Sequence, residues 1–254
     1  MILTDHLIDR VHRFNKATLR LSGEAAVLLD PTSVGTELGT GYALFAGEGC
    51  PVTQIIGIAH REPGDIAEIE AFFAPKTPNW EVTVTPFTDP AAVRALLDAG
   101  YRPGQFEGTL AQIIETLPDE PTADIREIDG DAETWTEVTG RGWSGDETDA
   151  FTPDNMAQFA GAMRTRRYLA YIDGIPAASA AMVETDDAVG MMGATTRVPF
   201  RGRGLQTALL ARRLRDAGAG RLAIMGAVPG SDSHRNAQRA GFNPLYSTLT
   251  LMRK

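Results

Sequence analysis

Cysteine and histidine are scarce in this sequence, which has one cysteine (Cys50) and four histidines among its 254 residues. One cysteine forms no internal disulfide and builds no cysteine cluster for zinc, and the histidines lack the spacing of metal ligands. The N-terminus lacks a basic start followed by an apolar run, and no run of about 18 apolar residues occurs without a charge. We therefore expect a cytoplasmic protein with no metal site, no signal peptide and no membrane-spanning segment.

Positive charge is also in short supply, because 24 lysines and arginines stand against 33 aspartates and glutamates, for a net charge of −9. Such a surface repels nucleic-acid phosphates and anionic lipids, so we expect neither a nucleic acid nor a membrane as partner. The hydrophobic fraction of 43% excludes a disordered chain. The length suits two domains of about 125 residues or one large domain.

A seam near the middle of the chain divides it into halves of similar length. Residues 117–124 contain two prolines and three acidic residues, which neither continue a helix nor fit inside a sheet. We therefore predict a domain over residues 1–117, a linker over 118–124 and a second domain over 125–254.

Hydrophobic periodicity predicts a mixture of strands and helices in both halves. In the first half, the predicted strands are 25–29, 42–46, 53–59 and 80–85, and the predicted helices are 4–15, 65–73 and 90–99. In the second half, the predicted strands are 125–128, 168–172, 176–184, 188–196, 222–228 and 245–252. The predicted helices there are 132–139, 153–166 with Thr152 as N-cap, 204–217 and 233–240.

Both halves contain a helix that ends in a glycine followed by an aromatic residue. The pairs are Gly100-Tyr101 and Gly241-Phe242. Glycine at this place supplies a left-handed cap, and the aromatic side chain folds back on the last helical turn. Together with the similar order of elements around them, these ends favour an internal duplication.

The most informative segment is Arg201-Gly202-Arg203-Gly204, which follows an apolar strand and leads directly into a helix. The first N–H groups of a helix are unpaired and carry a positive partial charge. The two glycines let the backbone approach an anion closely, and the two arginines add formal charge, so the loop suits a pyrophosphate. It is not a Walker loop, because no Gly-Lys-Ser/Thr ends it, nor the dinucleotide fingerprint, because the third glycine is missing.

This loop, its helix, the next strand and the later segment 233–242 resemble the GNAT superfamily of acyl-CoA-dependent N-acetyltransferases over about residues 124–254. In that family the pattern Arg/Gln-x-x-Gly-x-Gly/Ala binds the pyrophosphate of coenzyme A. Arg201 and Gly204 match the pattern, whereas Gln206 stands where the family has glycine or alanine. The resemblance implies an α/β (mixed α+β) fold with two GNAT-like domains, each a mostly antiparallel mixed sheet flanked by helices.

The resemblance also implies acetyl-CoA as the cofactor, bound by the end of the strand, the loop, the first helical turn and an asparagine of the later helix. These residues are Thr196, Arg197, Val198, Arg201, Gly202, Arg203, Gly204, Leu205, Gln206, Thr207 and Asn236. The matching junction of the first half, residues 59–66, carries Glu62, Pro63 and Asp65, which are unsuited to phosphate. We expect the first half to be a degenerate GNAT-like domain without a CoA site, which shapes the substrate cleft or forms a homodimer interface.

The catalytic acid and base are not at the positions that the family implies. Ala237 stands where the family has a tyrosine, and the position near Ala188, usually glutamate, is apolar. Tyr246 is the substitute that we predict as general acid, ahead of Ser231 and Ser233, and Glu184 is the predicted base. Each has a structural alternative. Tyr246 could be a half-buried strand aromatic, and Glu184 a solvated carboxylate at the end of a hairpin.

The acceptor side is expected near Trp143, Asp146, Glu147 and Asp149, which could receive a cationic amine or could form a solvated acidic loop. The resemblance predicts an acyltransferase that moves an acetyl group from acetyl-CoA to a primary amine of a small molecule or peptide. The alternative is a CoA-binding regulatory protein with weak catalysis, which the missing tyrosine and glutamate suggest.

Overall fold

The computed structural model of the chain describes residues 4–47, 50, 52–57, 66–130 and 132–253. Seven α-helices and eleven strands occur in these ranges. In chain order they are α1 (Asp5–Leu29), β1 (Val34–Leu38), β2 (Gly41–Phe45), β3 (Gln54–Ile56), α2 (Ile66–Phe73), β4 (Trp80–Val84), α3 (Pro90–Asp98), β5 (Arg102–Ile113), β6 (Asp124–Ile128), α4 (Ala132–Ser144), α5 (Asn155–Ala162), β7 (Arg166–Ile172), β8 (Ile175–Glu184), β9 (Val189–Thr196), α6 (Leu205–Ala217), β10 (Leu222–Ala227), α7 (Asp232–Arg239) and β11 (Asn243–Arg253).

The described residues form two compact units. The first unit consists of the described residues within 4–109, 227–229 and 245–253, and the second unit consists of those within 110–226 and 230–244. Most of β11 therefore belongs to the first unit, and the last four residues of β5 belong to the second. The predicted domains 1–117 and 125–254 with the linker 118–124 stay a prediction, and the compact units divide the chain at other residues.

The sheet of the first unit has the strand order β1-β2-β3-β4-β11-β5. β1, β2 and β3 pair antiparallel, β3 pairs with β4 in parallel, and β4 pairs with β11 antiparallel. Because parallel neighbours need a crossover, α2 connects β3 to β4. Fully buried side chains from the strands and from α2 form its core, among them Ile55, Phe73, Val82 and Leu251.

The sheet of the second unit has the order β5-β10-β9-β8-β7-β6. β6, β7, β8 and β9 pair antiparallel in sequence, and α6 connects β9 to the parallel strand β10. Among the described pairings, each unit contains antiparallel pairs and a parallel pair, which confirms the predicted mixed α/β fold class.

β9 and β10 separate soon after they begin. Among the described residues their ladder consists of the pairs Val189–Ala223 and Gly190–Ile224, whereas β9 continues to Thr196 and β10 to Ala227. The edge of β9 beyond Gly190 therefore lacks a neighbouring strand on this side. This opening lies between the strand that precedes the glycine–arginine loop and the strand that follows α6.

The first helix was predicted too short. It extends from Asp5 to Leu29, so residues 25–29 form its last turn rather than a strand. Their exposure does not alternate, because Ala25 and Ala26 are buried whereas Val27 and Leu28 are 49% and 77% exposed. A short apolar run fits both helical and strand periodicity, and here packing of the helix against β2 favours the helical conformation.

Two strands, β1 and β5, were not predicted. β5 contains Pro103 and Gly104, residues that normally indicate a loop. A Cβ at Gly104 would lie 2.8 Å from the Met252 sulfur and from the Thr250 hydroxyl, so the glycine allows β5 to lie close to side chains of β11. That reason is tertiary and is not visible in the local sequence.

Two helices of the second unit have other bounds than predicted. α4 continues past Thr139 through Gly140 and Gly142 to Ser144. A Cβ at Gly142 would lie 2.4 Å from the Thr195 hydroxyl of β9, so no larger residue fits at this position of the helix. The glycines therefore let α4 pack closely on the sheet. α5 begins at Asn155 with Asp154 as N-cap rather than Thr152, and it ends at Ala162.

The two predicted glycine–aromatic helix ends are confirmed. Gly100 and Gly241 have φ values of +90° and +93°, and Tyr101 and Phe242 are both 2% exposed. The N–H of Tyr101 donates to the Leu96 carbonyl at 3.1 Å, and the N–H of Phe242 donates to the Ala237 carbonyl at 3.0 Å. This pairing ends each helix in the way that the left-handed glycine permits.

Candidate functional site

The loop between β9 and α6 contains two glycines with a left-handed backbone. Gly202 and Gly204 have φ values of +75° and +76°, and a Cβ built on either would meet no atom within 4 Å. The glycines are thus required for the course of the backbone, and the space in front of them is open.

The N-terminus of α6 lacks the side-chain cap that other helices have. In α1, α3, α5 and α7 an N-cap side chain accepts a hydrogen bond from the first turn. These caps are Thr4, Asp89, Asp154 and Ser231. The N-cap of α6 is Gly204, and the first helical bond is donated by the N–H of Ala208 to the Gly204 carbonyl at 3.0 Å. The N–H groups of the first three residues of α6 are thus available to an external acceptor.

A cleft of about 430 Å³ opens in front of this helix terminus. It is formed by the end of β9, the loop, the first turn of α6 and one face of α7. The lining residues are Thr195, Thr196, Phe200, Arg201, Gly202, Arg203, Gly204, Leu205, Gln206, Thr207, Asp232, Asn236 and Arg239. Three arginines and one aspartate give the lining a net positive charge although the whole chain is acidic.

The structure brings most of the predicted CoA-binding residues to this cleft, including Thr196, the loop, the first turn of α6 and Asn236. Two others, Arg197 and Val198, are engaged elsewhere. The Arg197 guanidinium donates to the Glu147 carboxylate at 2.9 and 2.6 Å, and the N–H of Val198 donates to the same carboxylate at 3.2 Å. Glu147 thus ties the loop after α4 to the end of β9.

Two side chains of the loop are turned towards backbone carbonyls rather than towards open space. Arg201 donates to the Thr196 carbonyl at 3.1 Å and to the Gly142 carbonyl at 2.9 Å. Gln206 donates its amide to the Thr195 carbonyl at 2.5 Å and to the Thr196 hydroxyl at 3.0 Å. These bonds hold the loop and the first turn of α6 against the end of β9. Arg203 lies over the Phe200 ring, with its guanidinium carbon 5.7 Å from the ring centre.

Sequence reasoning missed two cleft residues on α7. Asp232, Asn236 and Arg239 recur at intervals of four and three residues and therefore share one face of the helix. Arg239 donates to the Asn236 side chain, and Asp232 pairs with Arg235 at 2.5 Å. The helical spacing around Asn236 was the signal that could have identified both residues.

The predicted base, Glu184, is not brought to the cleft. It pairs with Val189 at the opposite end of β9 from Thr196, which places it roughly 20 Å along the strand. Its carboxylate accepts a hydrogen bond from Arg166 at 3.2 Å. Its catalytic role stays a prediction to which this position adds no support.

The predicted acid, Tyr246, belongs to the first unit. Its ring packs edge-on against Phe87 with a centroid distance of 5.3 Å. Burial raises the pKa of Tyr246 to about 12, with the Thr109 side chain acting in the opposite direction. The phenol is therefore protonated at neutral pH, as a general acid must be, and its role stays a prediction.

Other predicted features are distributed around the second unit. Trp143 is 41% exposed, Glu147 is engaged by Arg197, and Asp146 accepts the N–H of Thr148 at 2.9 Å. The acceptor side stays a prediction. Most of the first-half junction 59–66 lies outside the described residues. Within the described ranges, no three histidine, cysteine or acidic side chains could hold a metal, and no helix is long and apolar enough to cross a membrane.

No protein-family model and no curated protein matches the chain. Solved structures do resemble it. A GCN5-related N-acetyltransferase from Kribbella flavida matches with a TM-score of 0.63 and 19% identity, covering 93% of this chain and 95% of that one. The chain has the GNAT fold.

Two further structures support the assignment of the GNAT fold over nearly the whole chain. A GCN5-related N-acetyltransferase from Sphaerobacter thermophilus matches with a TM-score of 0.56 and 17% identity, covering 96% of this chain and 91% of that one. A tandem GNAT protein from the clavulanic acid biosynthesis pathway matches with a TM-score of 0.55 and 13% identity, covering 93% and 94%. At these coverages the matches extend into the segment before residue 124, where the sequence resemblance was weakest.

Proposed function

We propose that this protein is an N-acetyltransferase that moves an acetyl group from acetyl-CoA to a primary amine. One observation carries the proposal. The uncapped N-terminus of α6, preceded by two left-handed glycines, faces a cleft lined by three arginines in a chain of net charge −9. An anion is what such a terminus binds best, because its N–H groups and its dipole both favour negative charge.

The residues present fit coenzyme A. The N–H groups between Gly202 and Thr207 would hold the pyrophosphate, with Arg203 and Arg239 supplying positive charge at the rim. Thr196 and Asn236 would contact the pantetheine arm, for which the edge of β9 without a neighbouring strand beyond Gly190 offers room. Bound acetyl-CoA would supply a thioester, which is an acyl group activated towards attack by an amine.

The acceptor that we propose is an amine of a small molecule or peptide, with positive charge favoured by the acidic residues near Trp143. Of those residues, Asp149 has its side chain exposed, whereas Glu147 is engaged by Arg197. The cytoplasm, where acetyl-CoA is available, is the compartment that we propose, and the first unit is proposed to shape the acceptor side or to form a homodimer contact.

A second function is favoured by the composition of the cleft itself. Among the described residues that line it, the ionisable side chains are Arg201, Arg203, Arg239 and Asp232, and none is a tyrosine, histidine, cysteine or glutamate. General acid–base catalysis needs a side chain that exchanges protons near neutral pH. A protein that binds acetyl-CoA and transfers the acetyl group slowly, in a regulatory or binding role, would have this lining.

The replacement Gly204→Asp tests the cofactor site. The carboxylate repels the pyrophosphate at the helix terminus, so CoA affinity measured by calorimetric titration is expected to fall at least about tenfold, or about 1.4 kcal/mol. Gly218→Asp is the control, because Gly218 lies at the other end of α6, has a positive φ of +86° and also has open space around its Cβ. Equal CoA affinity in the parent and in a folded Gly204→Asp variant would refute the site.

Turnover separates the two functions. Thiol release from acetyl-CoA over a panel of small amines and peptides, beside the CoA titration, is expected to show transfer to at least one amine. Binding without transfer to any amine would favour the regulatory alternative. Absence of CoA binding would overturn both.

A further inference from the structure

β9 contains a bulge next to the opening between β9 and β10. In the β8–β9 ladder, Ser179 pairs with Thr195 and Ala181 pairs with Met192. Two residues of β9, Gly193 and Ala194, therefore lie opposite the single residue Ala180. Gly193 has a φ of +60°, as the first residue of such a bulge often does. A bulge takes backbone groups out of the ladder, so this one needs other partners.

The first partner is a tryptophan of α4. Trp135 is fully buried, and its indole N–H donates to the carbonyl of Ala180, the residue opposite the bulge, at 3.1 Å. A Cβ at Gly193 would lie 3.1 Å from the Trp135 ring, so the bulge fits tightly against this side chain.

The second partner is an arginine of α6. Arg213 is 2% exposed, and its guanidinium donates to the Ala181 carbonyl at 2.8 Å and to the Met192 carbonyl at 3.3 Å. These two residues are the ladder pair next to the bulge, so one side chain joins both strands. A third bond, to the Leu209 carbonyl of its own helix at 3.1 Å, orients the guanidinium.

Burying an arginine in a core without a carboxylate partner costs free energy, because the charge loses its hydration. Among the described residues Arg213 forms no ion pair, and burial lowers its pKa to about 10, so it still carries its charge at neutral pH. Well-packed apolar side chains usually serve stability as well as a buried charge does. A planar group with several donors is well suited to joining several fixed carbonyls.

The tryptophan and the arginine act from opposite faces of the sheet. Successive strand residues point to opposite faces. Leu169 packs with Trp135 of α4, whereas its neighbour Tyr168 donates its hydroxyl to Asp216 of α6 at 3.0 Å. The bulge is thus held from both sides.

We propose that Arg213 and Trp135 are positioning residues that fix the bulge of β9, and thereby the backbone groups on its open edge that would contact the acyl end of the cofactor. This proposal rests on the proposed function. The pyrophosphate would bind at the loop, and the acyl end would lie further along β9, where the strand has no neighbour beyond Gly190. Displacing the bulge would therefore affect the acyl group and leave the pyrophosphate contacts in place.

The test uses two variants of the full chain, Arg213→Met and Trp135→Phe, each of which removes the donors and keeps a large apolar side chain. Hydrogen exchange of the amides between Met191 and Thr196 is expected to accelerate about tenfold or more in both. Affinity for acetyl-CoA is expected to fall at least about fivefold, whereas affinity for CoA stays within about twofold. Arg213→Lys, which keeps the charge and one donor group, is expected to restore part of the acetyl-CoA affinity.

Two controls match the chemistry of the changes. Arg215→Met removes an arginine of the same helix whose partners are the Pro118 carbonyl and Glu120. Trp80→Phe removes a buried indole donor in the first unit, where Trp80 donates to the Tyr101 hydroxyl at 3.0 Å. Neither is expected to change exchange in β9 or the ratio of the two affinities.

Unchanged β9 exchange in both variants would overturn the proposal, as would a parallel fall in the affinities for CoA and acetyl-CoA, which indicates general destabilisation. If one variant fails to fold, the other decides, since both act on the same bulge. Absence of CoA binding by the parent would refute the proposed function and with it the positioning role, whereas hydrogen exchange would still report whether the two side chains hold the bulge.

Discussion

At the scale of single residues, Gln206 is where this chain departs from the pattern that its loop resembles. Its amide joins the first turn of α6 to Thr195 and Thr196 at the end of β9. The side chain is half-buried, and it donates to the protein rather than facing outward. The departure is therefore explained by packing of the loop, and the backbone donors on which anion binding depends are kept.

Gln206→Ala is expected to lower the free energy of unfolding by about 1 kcal/mol, because the hydrogen bonds of the amide are lost. CoA affinity is expected to stay within about threefold of the parent, since the helix terminus and the glycines are unchanged. Urea unfolding and calorimetric titration measure the two quantities. A tenfold loss of CoA affinity in a folded variant would mean that the side chain itself is a ligand.

At the scale of elements, a network of charges joins β6, β7, β8 and α6 at the end of the second unit away from the cleft. Arg166 of β7 forms two hydrogen bonds with Glu127 of β6, at 2.7 and 2.8 Å, and contacts Glu184 and Asp216. Arg212 donates to Asp216 on the same helix at 3.0 Å. This network explains the position of Glu184 structurally.

Hydrogen bonds from Arg166 lower the pKa of Glu127, so its stabilising effect depends on pH in a defined direction. A carboxylate whose pKa is lower in the folded state stabilises the protein above its unfolded pKa of about 4.3, and this effect is lost as pH falls through the folded value. Because Glu127 is 38% exposed, we expect a contribution of at most about 1 kcal/mol.

The replacement Glu127→Gln is therefore expected to lower stability near pH 7 and to leave it less dependent on pH below about 4.5, as measured by urea unfolding from pH 3 to 7. Glu120→Gln is the control, because Glu120 is 61% exposed in its ion pair with Arg215. If the free energy of unfolding falls in the same way at acid pH in the parent and in Glu127→Gln, the proposed contribution of the Glu127–Arg166 pair is contradicted.

The sequence predicted those elements whose local residue pattern and tertiary packing favour the same conformation. The strand–loop–helix unit around Gly202 and Gly204 was predictable, since left-handed glycines and an uncapped helix are local properties. The extension of α1 to Leu29 and the presence of β5 were not, because the apolar run 25–29 fits both helical and strand periodicity and Gly104 serves a contact with β11. The position of Glu184 was missed for a similar reason. The sequence places it on a strand near the site, and only the pairing with Val189 reveals at which end.

At the scale of the whole molecule, each compact unit is built from segments of both halves of the sequence. The first unit includes residues 245–253 of β11, which pair with β4, and the second includes residues 110–113 at the end of β5. The side chain of Leu251 lies fully buried among first-unit residues such as Val82 and Trp80. The proline-rich and acidic composition of residues 117–124 indicates where regular secondary structure is interrupted. It does not indicate which strands pair, so it could not predict that β11 joins the first unit and the end of β5 the second.

Leu251→Ala is expected to destabilise the first unit by about 2–5 kcal/mol through the cavity that it leaves. Native-state hydrogen exchange should show the loss in β3 and β4, and not in α4 of the second unit. Leu28→Ala is the control, since Leu28 belongs to the first unit and is 77% exposed. Faster exchange confined to the second unit would contradict the assignment of β11.

The measurement that tests the central claim most directly is a crystal structure of the full chain with bound coenzyme A. The account predicts pyrophosphate oxygens at about 3 Å from backbone N–H groups between Gly202 and Thr207, and the pantetheine arm along β9 beyond Gly190. Coenzyme A bound away from the N-terminus of α6, or absent at saturating concentration, would contradict it.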